Sequence, residues 1–291
     1  MAKNTKGLRV ILNQLSRLQL LHSKHIHALR SCGVVFIFTY HKMLKFMEFI
    51  SVRLGLSTPV PPTLKLQVLS DLHLEQRMGL SQYRKFDIPA EAEYLVLAGN
   101  IGRLAHPDHV DAYRSFLRKQ CENFKRVFLI AGNGEFSDSE TGDSFEGCLR
   151  TLRDFAKHPA MRHRLTVLEE DRFDFDHLGY RVTLLGCTLW ARHRADQQIV
   201  SKDLTRINGW SSAENNRRNK QSLRWLQQQV KHIREFPENR DRKIIVLTHH
   251  APTIFGTADG QKPVGPDGIW SDWQNDILGG SGVNGLQNGD V

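Results

Sequence analysis

An α/β fold is what this 291-residue sequence predicts, on three observations. Short apolar runs of strand length recur along the chain, stripes of helical period lie between several of them, and four of the runs end in residues of ligand or acid/base type. The composition, 40% hydrophobic and 24% charged, suits one large globular domain or two small ones. It excludes a collagen, a low-complexity linker and a small disulfide scaffold. Cys32, Cys121, Cys148 and Cys187 are scattered without a C-x-x-C pair, which suits a reducing compartment and argues against a zinc ribbon. A cytoplasmic protein is therefore expected. No run of 18 apolar residues exists, so no membrane span is expected.

Residues 1–62 read as a basic extension ending in a linker. They hold nine Lys/Arg and one acid, Glu48, whereas the rest of the chain nearly balances 31 basic against 30 acidic residues. The net charge of +9 is thus concentrated in the extension. A nucleic-acid footprint belongs on the folded domain, so no nucleic-acid partner is expected. Leu8, Leu12, Leu15, Leu18 and Leu21 fall near helical spacing in acid-poor sequence, as in a mitochondrial transit peptide or a basic membrane-surface helix. Mitochondrial targeting is the alternative location on that ground, and a disordered leader is the plainer reading. Thr58-Pro59-Val60-Pro61-Pro62 reads as a stiff linker.

The domain is expected over residues 63–291. Leu64–Leu69, Tyr94–Ala98, Val127–Ala131 and Ile244–Leu247 read as buried strands, with further strands at Leu165–Leu168 and Tyr180–Leu189. Val110, Tyr113, Leu117, Cys121 and Phe124 share one helical face, as do Phe145, Cys148, Leu149, Leu152 and Phe155. A longer polar helix is expected from about Ala213 to Phe236, with Leu223, Leu226, Val230 and Ile233 inward. The acidic clusters Glu169-Glu170-Asp171 and Asp174-Phe175-Asp176-His177 read as solvated surface. Trp210, Trp225, Trp270 and Trp273 read as core or loop anchors.

Chemistry is expected at four strand ends: Asp71-Leu72-His73, Gly99-Asn100, Gly132-Asn133-Gly134-Glu135 and His249-His250. Functional groups gather at the carboxyl ends of strands in open α/β sheets, so the four can converge. The glycines before Asn100 and Asn133 permit a sharp turn that sets the next side chain at the sheet edge. Oxygen and imidazole donors in this mixture suit Mn²⁺, Fe or Zn²⁺. No phosphate-binding G-x-x-x-x-G-K-S/T, dinucleotide-binding G-x-G-x-x-G or G-x-S-x-G nucleophile elbow is present.

In this order the motifs resemble the calcineurin-like metallophosphoesterase superfamily, whose run is D-x-H, G-D, G-N-H-E/D, a later H and G-H-x-H. The resemblance covers roughly Leu64 to Gly285, and details around Leu104–Phe136 and Leu278–Gly282 look most like fungal members. It implies two mixed β-sheets packed as a sandwich and flanked by helices. It also implies that Asp71 and His73 would hold one metal, and Asn133 and His249 the other, with Asn100 at the position between them. Glu135 and His250 would stand beside the ligands rather than on the metals. A pair of ions about 3.5–4 Å apart would clamp a phosphomono- or diester and activate water.

Three departures from that pattern shape the functional expectation. Asn100 replaces the bridging aspartate. An amide offers one neutral oxygen to two dications that repel by roughly 16 kcal/mol at 4 Å and an effective dielectric near 20. Gly134 replaces the histidine that assists the leaving group, so no general acid is assigned; that loss typically costs on the order of 10²–10⁴ in rate. The chain also carries no G-H-x-H, so the domain is expected to be C-terminally incomplete. The resulting expectation is a metal-dependent phosphoesterase of weak or lost activity, with doubtful metal occupancy. The alternative is a non-catalytic relative serving as a binding or regulatory module.

Overall fold

The computed structural model describes residues 63–76, 80–138, 142–193, 202–253 and 275. The basic stretch 1–62, Trp270, Trp273 and the segment Leu278–Val291 lie outside the described residues. Strands β1 (Leu66–Leu69), β2 (Tyr94–Ala98), β3 (Arg126–Ile130) and β4 (Leu165–Val167) form one parallel sheet in that order. Strands β5 (Asp171–Asp174), β6 (Val182–Cys187) and β7 (Lys243–Thr248) form a second, mixed sheet. There β5 runs antiparallel to β6, and β7 runs parallel to it. Helices α1 (Ser81–Lys85), α2 (Pro107–Asn123), α3 (Phe145–Lys157), α4 (Lys202–Arg206) and α5 (Ser212–Glu235), with short 3-10 turns at Gly134–Phe136, Pro159–Met161, Asp176–Leu178 and Pro237–Asn239, complete the regular structure among the described residues.

Strand periodicity explains the layering. Successive side chains point to opposite faces, so a strand buried on both sides reads as an unbroken apolar run. In β2, Leu95 and Leu97 join a core with α2 and α3, while Tyr94 and Val96 face the second sheet. In β3 the same split separates Val127 and Leu129 from Phe128 and Ile130. The second sheet answers in kind: Leu184 and Leu247 enter the inter-sheet core, and Leu185, Cys187, Ile244 and Val246 pack under Leu226, Val230 and Ile233 of α5. The result is helices, sheet, sheet, helix, the layering that the family resemblance implies.

The helices begin where their caps dictate. Pro107 follows His106, whose ring accepts from the Asp108 N–H at 3.2 Å. Ser144 caps α3 by accepting from Gly147, and Ser211 caps α5 by accepting from Glu214, each at 3.1 Å.

One reading needs correction. The acidic clusters are solvated surface only in part: Asp171, Asp176 and His177 are exposed, whereas Glu169, Glu170 and Asp174 are half-buried. Asp171–Asp174 is strand β5, and Phe173 and Phe175 turn into the inter-sheet core, Phe175 fully buried. Their carboxylates are engaged: Arg242 grips both oxygens of Asp176 at 2.6 and 2.8 Å, and Glu170 accepts from Gln221 and Ser222 of α5. Glu169 accepts from the Thr188 backbone N–H at 3.1 Å and lies 2.8 Å from the Thr188 hydroxyl. A strand with alternating charge and aromatic ring is half-buried by its period, which an apolar-run criterion misses. Trp210 and Trp225 are core anchors as expected, Trp210 lying 4.4 Å from Trp190 and Trp225 against the α5 core; the hub, not singled out from the sequence, is Trp190, fully buried among Phe136, Phe145, Trp210 and His250.

Candidate metal site

All four predicted strand ends meet at one edge of the sandwich. Past β1 the chain stays beside β2, with the N–H groups of Asp71 and His73 donating to the carbonyls of Gly99 and Asn100 at 3.0 Å. Asp71, His73 and Asn100 have φ of 55°, 46° and 54°, a left-handed conformation uncommon outside glycine. Three such residues at one edge mark stored strain of about 1–3 kcal/mol each, the kind that collects at functional sites.

The two glycines do different work. Gly99 takes φ +86°, and a Cβ there would lie 2.3 Å from His249 Nδ1. Gly132 has an ordinary φ; its need is room, since a Cβ would lie 2.5 Å from Asn100 Oδ1. The turn expected at Gly132 is therefore a close approach.

Glu135 organises the edge. It is fully buried in the short turn Gly134–Phe136. Its carboxylate accepts from the N–H groups of Gly132 and Ile101 at 2.7 Å, Asn100 at 2.9 Å and Gly102 at 3.4 Å, and from the Tyr113 hydroxyl at 3.1 Å. The ends of β2 and β3 are thereby tied to one side chain. Burial pushes its pKa up to about 7, against the four backbone N–H groups that favour the charged form.

Asn100 has both ends of its carboxamide engaged. The Gly134 N–H donates to its Oδ1 at 2.7 Å, which fixes the orientation of the group, and its Nδ2 donates to Asp71 Oδ1 at 3.1 Å. Asp71 is otherwise open, its side chain 54% exposed, with His73 Nε2 at 3.8 Å. The far edge of the His73 ring, Nδ1, lies 3.2 Å from Glu75 Oε1 and 3.1 Å from Gln76 Nε2.

At the other side of the cleft, His249 and Asn133 present lone pairs to each other. His249 Nδ1 lies 2.9 Å from the Ala98 carbonyl, which can only accept, so Nδ1 carries the proton. Burial holds the ring below the usual imidazole pKa and keeps it neutral. Its Nε2 is then an unprotonated acceptor, 3.2 Å from Asn133 Oδ1. The Asn133 amide cannot turn round, because its Nδ2 donates to Asp203 Oδ1 at 2.9 Å. Two acceptors held face to face fit a divalent cation, and the donor pair is of the right chemistry for Mn²⁺, Fe or Zn²⁺.

Asp71 stands apart from this pair, with the Asn100 amide N–H already donating to its Oδ1. Among the described residues no three of His, Cys, Asp and Glu are grouped to hold an ion. His250 turns away from the cleft: its Nδ1 accepts from the Ala191 N–H at 3.0 Å and its ring packs edge-on to Trp190. Asp203, which sets the Asn133 amide, was not singled out from the sequence; it lies in a five-residue helix without a periodic signal.

An α/β sandwich of a parallel and a mixed sheet, with Asp, His and Asn side chains converging at its strand ends, defines a class of phosphoester hydrolases. The calcineurin-like phosphoesterase family matches residues 64–278, and the chain belongs to that family. An uncharacterised protein of Acanthamoeba polyphaga mimivirus is 23% identical to it over 218 residues, covering 69% of this chain and 72% of that protein. The crystal structure of a phosphopantetheinyl hydrolase (PptH) from Mycobacterium tuberculosis aligns at a TM-score of 0.45 with 13% identity, covering 66% of this chain and 70% of that one. Among the described residues no helix is long and apolar enough to cross a membrane.

Proposed function

We propose that this chain is a metal-dependent phosphoesterase of weak activity, acting on phosphomono- or diesters. The observation that carries the reading is the meeting of Asn133 Oδ1 and His249 Nε2, two fixed acceptors 3.2 Å apart beside the exposed Asp71 carboxylate. Asn133 and His249 would hold the ion. When bound, it supplies Lewis acidity to a phosphoryl oxygen and to water.

The chain's own groups do the positioning. Ala98 and Asp203 aim the two ligands, and Glu135 holds β2 and β3 in register beneath them. Asp71 lies open to solvent and can accept a proton from water at the cleft. Gly134 brings no side chain to protonate the leaving group, so esters with good leaving groups are the favoured substrates.

A second reading, a non-catalytic binding module, is favoured by one observation: the Asn100 carboxamide is engaged at both ends. The two readings separate in an assay of the full chain with bis(p-nitrophenyl) phosphate and Mn²⁺. The proposal expects slow turnover that chelator removes and that His249→Ala abolishes. Turnover indistinguishable between the wild type and His249→Ala would refute it in favour of the binding module.

A further inference from the structure

We infer that Asn100 and Gly134 act as a pair that closes one of the two expected ion positions, so that the chain takes a single divalent cation, at Asn133 and His249. The inference rests on reading those two residues as cation ligands.

Asp71 sets the constraint on position 100. A carboxylate at position 100 could keep the Gly134 hydrogen bond with one oxygen, but its other oxygen would stand where Asn100 Nδ2 is now, 3.1 Å from Asp71 Oδ1. Two carboxylates at that separation repel, and one must be protonated or a cation must lie between them. The Asn100 amide removes the conflict. Its N–H₂ is a neutral donor to the Asp71 oxygen and stands in place of the cation.

Gly134 is the other half of the device. Its N–H holds Asn100 Oδ1 at 2.7 Å, and a Cβ on it would come within 2.6 Å of that oxygen and 3.2 Å of Cγ. Any side chain at position 134 therefore displaces the carboxamide. The two departures from the family pattern are thereby coupled: the bare position 134 leaves room for the oxygen of residue 100 that its N–H holds. The Asn133–His249 side is untouched, since its supports, Ala98 and Asp203, belong to neither residue.

The test counts ions and needs no turnover. The full chain is dialysed against Mn²⁺, bound metal is measured by elemental analysis, and electron paramagnetic resonance distinguishes an isolated ion from a spin-coupled pair. The wild type should bind one ion with the isolated spectrum, and Asp71→Ala should leave that count unchanged. Asn100→Asp, nearly isosteric, should bind two, with a coupled spectrum. Without metal it should melt below the wild type, and Mn²⁺ should raise its melting temperature more than that of the wild type.

A wild type that binds two ions, or an Asn100→Asp variant that gains neither an ion nor a larger Mn²⁺-dependent shift, overturns the closure by Asn100. A wild type that binds none, or an Asn133→Ala variant that keeps its ion, overturns the ligand assignment instead. The failures of the two ideas are thereby distinguished.

Discussion

Gly99 shows how closely the candidate site depends on single backbone positions. It combines a φ of +86° with a space that a Cβ would lose to His249 Nδ1 at 2.3 Å. A left-handed conformation costs an ordinary residue about 1–2 kcal/mol before any collision is counted. Gly99→Ala should therefore destabilise the domain by at least about 1 kcal/mol in urea unfolding and displace His249 from the Ala98 carbonyl. Unchanged stability would mean that the backbone relaxes there without strain. This dependence could be partly read in advance, because a glycine ahead of a polar residue at a strand end signals an unusual turn. Gly132 could not, since its requirement comes from Asn100, 32 positions away in sequence, and only the packed structure brings them together. The positions of Asp71, His73, Asn100, Asn133 and His249 at strand ends followed from apolar runs that stop abruptly. The support from Asp203 and Tyr113 did not, because each reaches the site across a long sequence separation.

At the level of elements, the segment joining β4 to β5 carries the clearest dependence on pH. Thr188 Oγ1 lies 2.8 Å from both the Ala131 carbonyl and Glu169 Oε2, yet a hydroxyl has a single proton to donate. A proton on Glu169 resolves this, the acid donating to Thr188 and Thr188 donating to Ala131. Burial agrees, raising Glu169 to about 7. An acid whose pKa is raised on folding holds a proton that the unfolded chain has released between about pH 4.5 and 7, so its contribution to stability falls as pH rises through that window. One such proton accounts for at most about 1.4 kcal/mol per pH unit. Glu169→Gln keeps a donor for Thr188 and removes the titration. Its stability relative to the wild type should rise between pH 5 and 8 when denaturation is followed at several pH values, and a constant difference would exclude a protonated Glu169. The same stretch marks where element prediction fails. Strands with both faces buried announce themselves by apolar runs, whereas β5 holds Asp171, Arg172 and Asp174 around one ring and is recognisable only by its pairing with β6.

Across the whole molecule, the two sheets must stay in contact, because β2 and β3 supply Asn100 and Asn133 while β7 supplies His249. The inter-sheet core that fixes this geometry is aromatic: Phe175 meets Tyr94, Phe128, Phe173 and Tyr180 with ring centroids 4.9–6.2 Å apart. Phe175→Ala should cost about 3–5 kcal/mol in denaturant unfolding, the range for a large ring lost from a packed core. A loss below about 1 kcal/mol would place the cohesion of the sheets elsewhere, far under that range. The α/β class was legible from the sequence because both sheets contain doubly buried strands. The order of the motifs along the chain then pointed to the family that matches residues 64–278. What the sequence could not convey is that Asn100 spends both ends of its amide on Asp71 and Gly134, a matter of side-chain orientation. The central claim is that one half of the expected metal centre is preserved and the other is closed by a hydrogen bond. Crystals of the full chain grown with Mn²⁺ test it most directly through anomalous scattering. One anomalous peak is expected, within coordination distance of both Asn133 Oδ1 and His249 Nε2, with the Asn100–Asp71 hydrogen bond intact. Two peaks bracketing Asn100, or no peak beside His249, would contradict it.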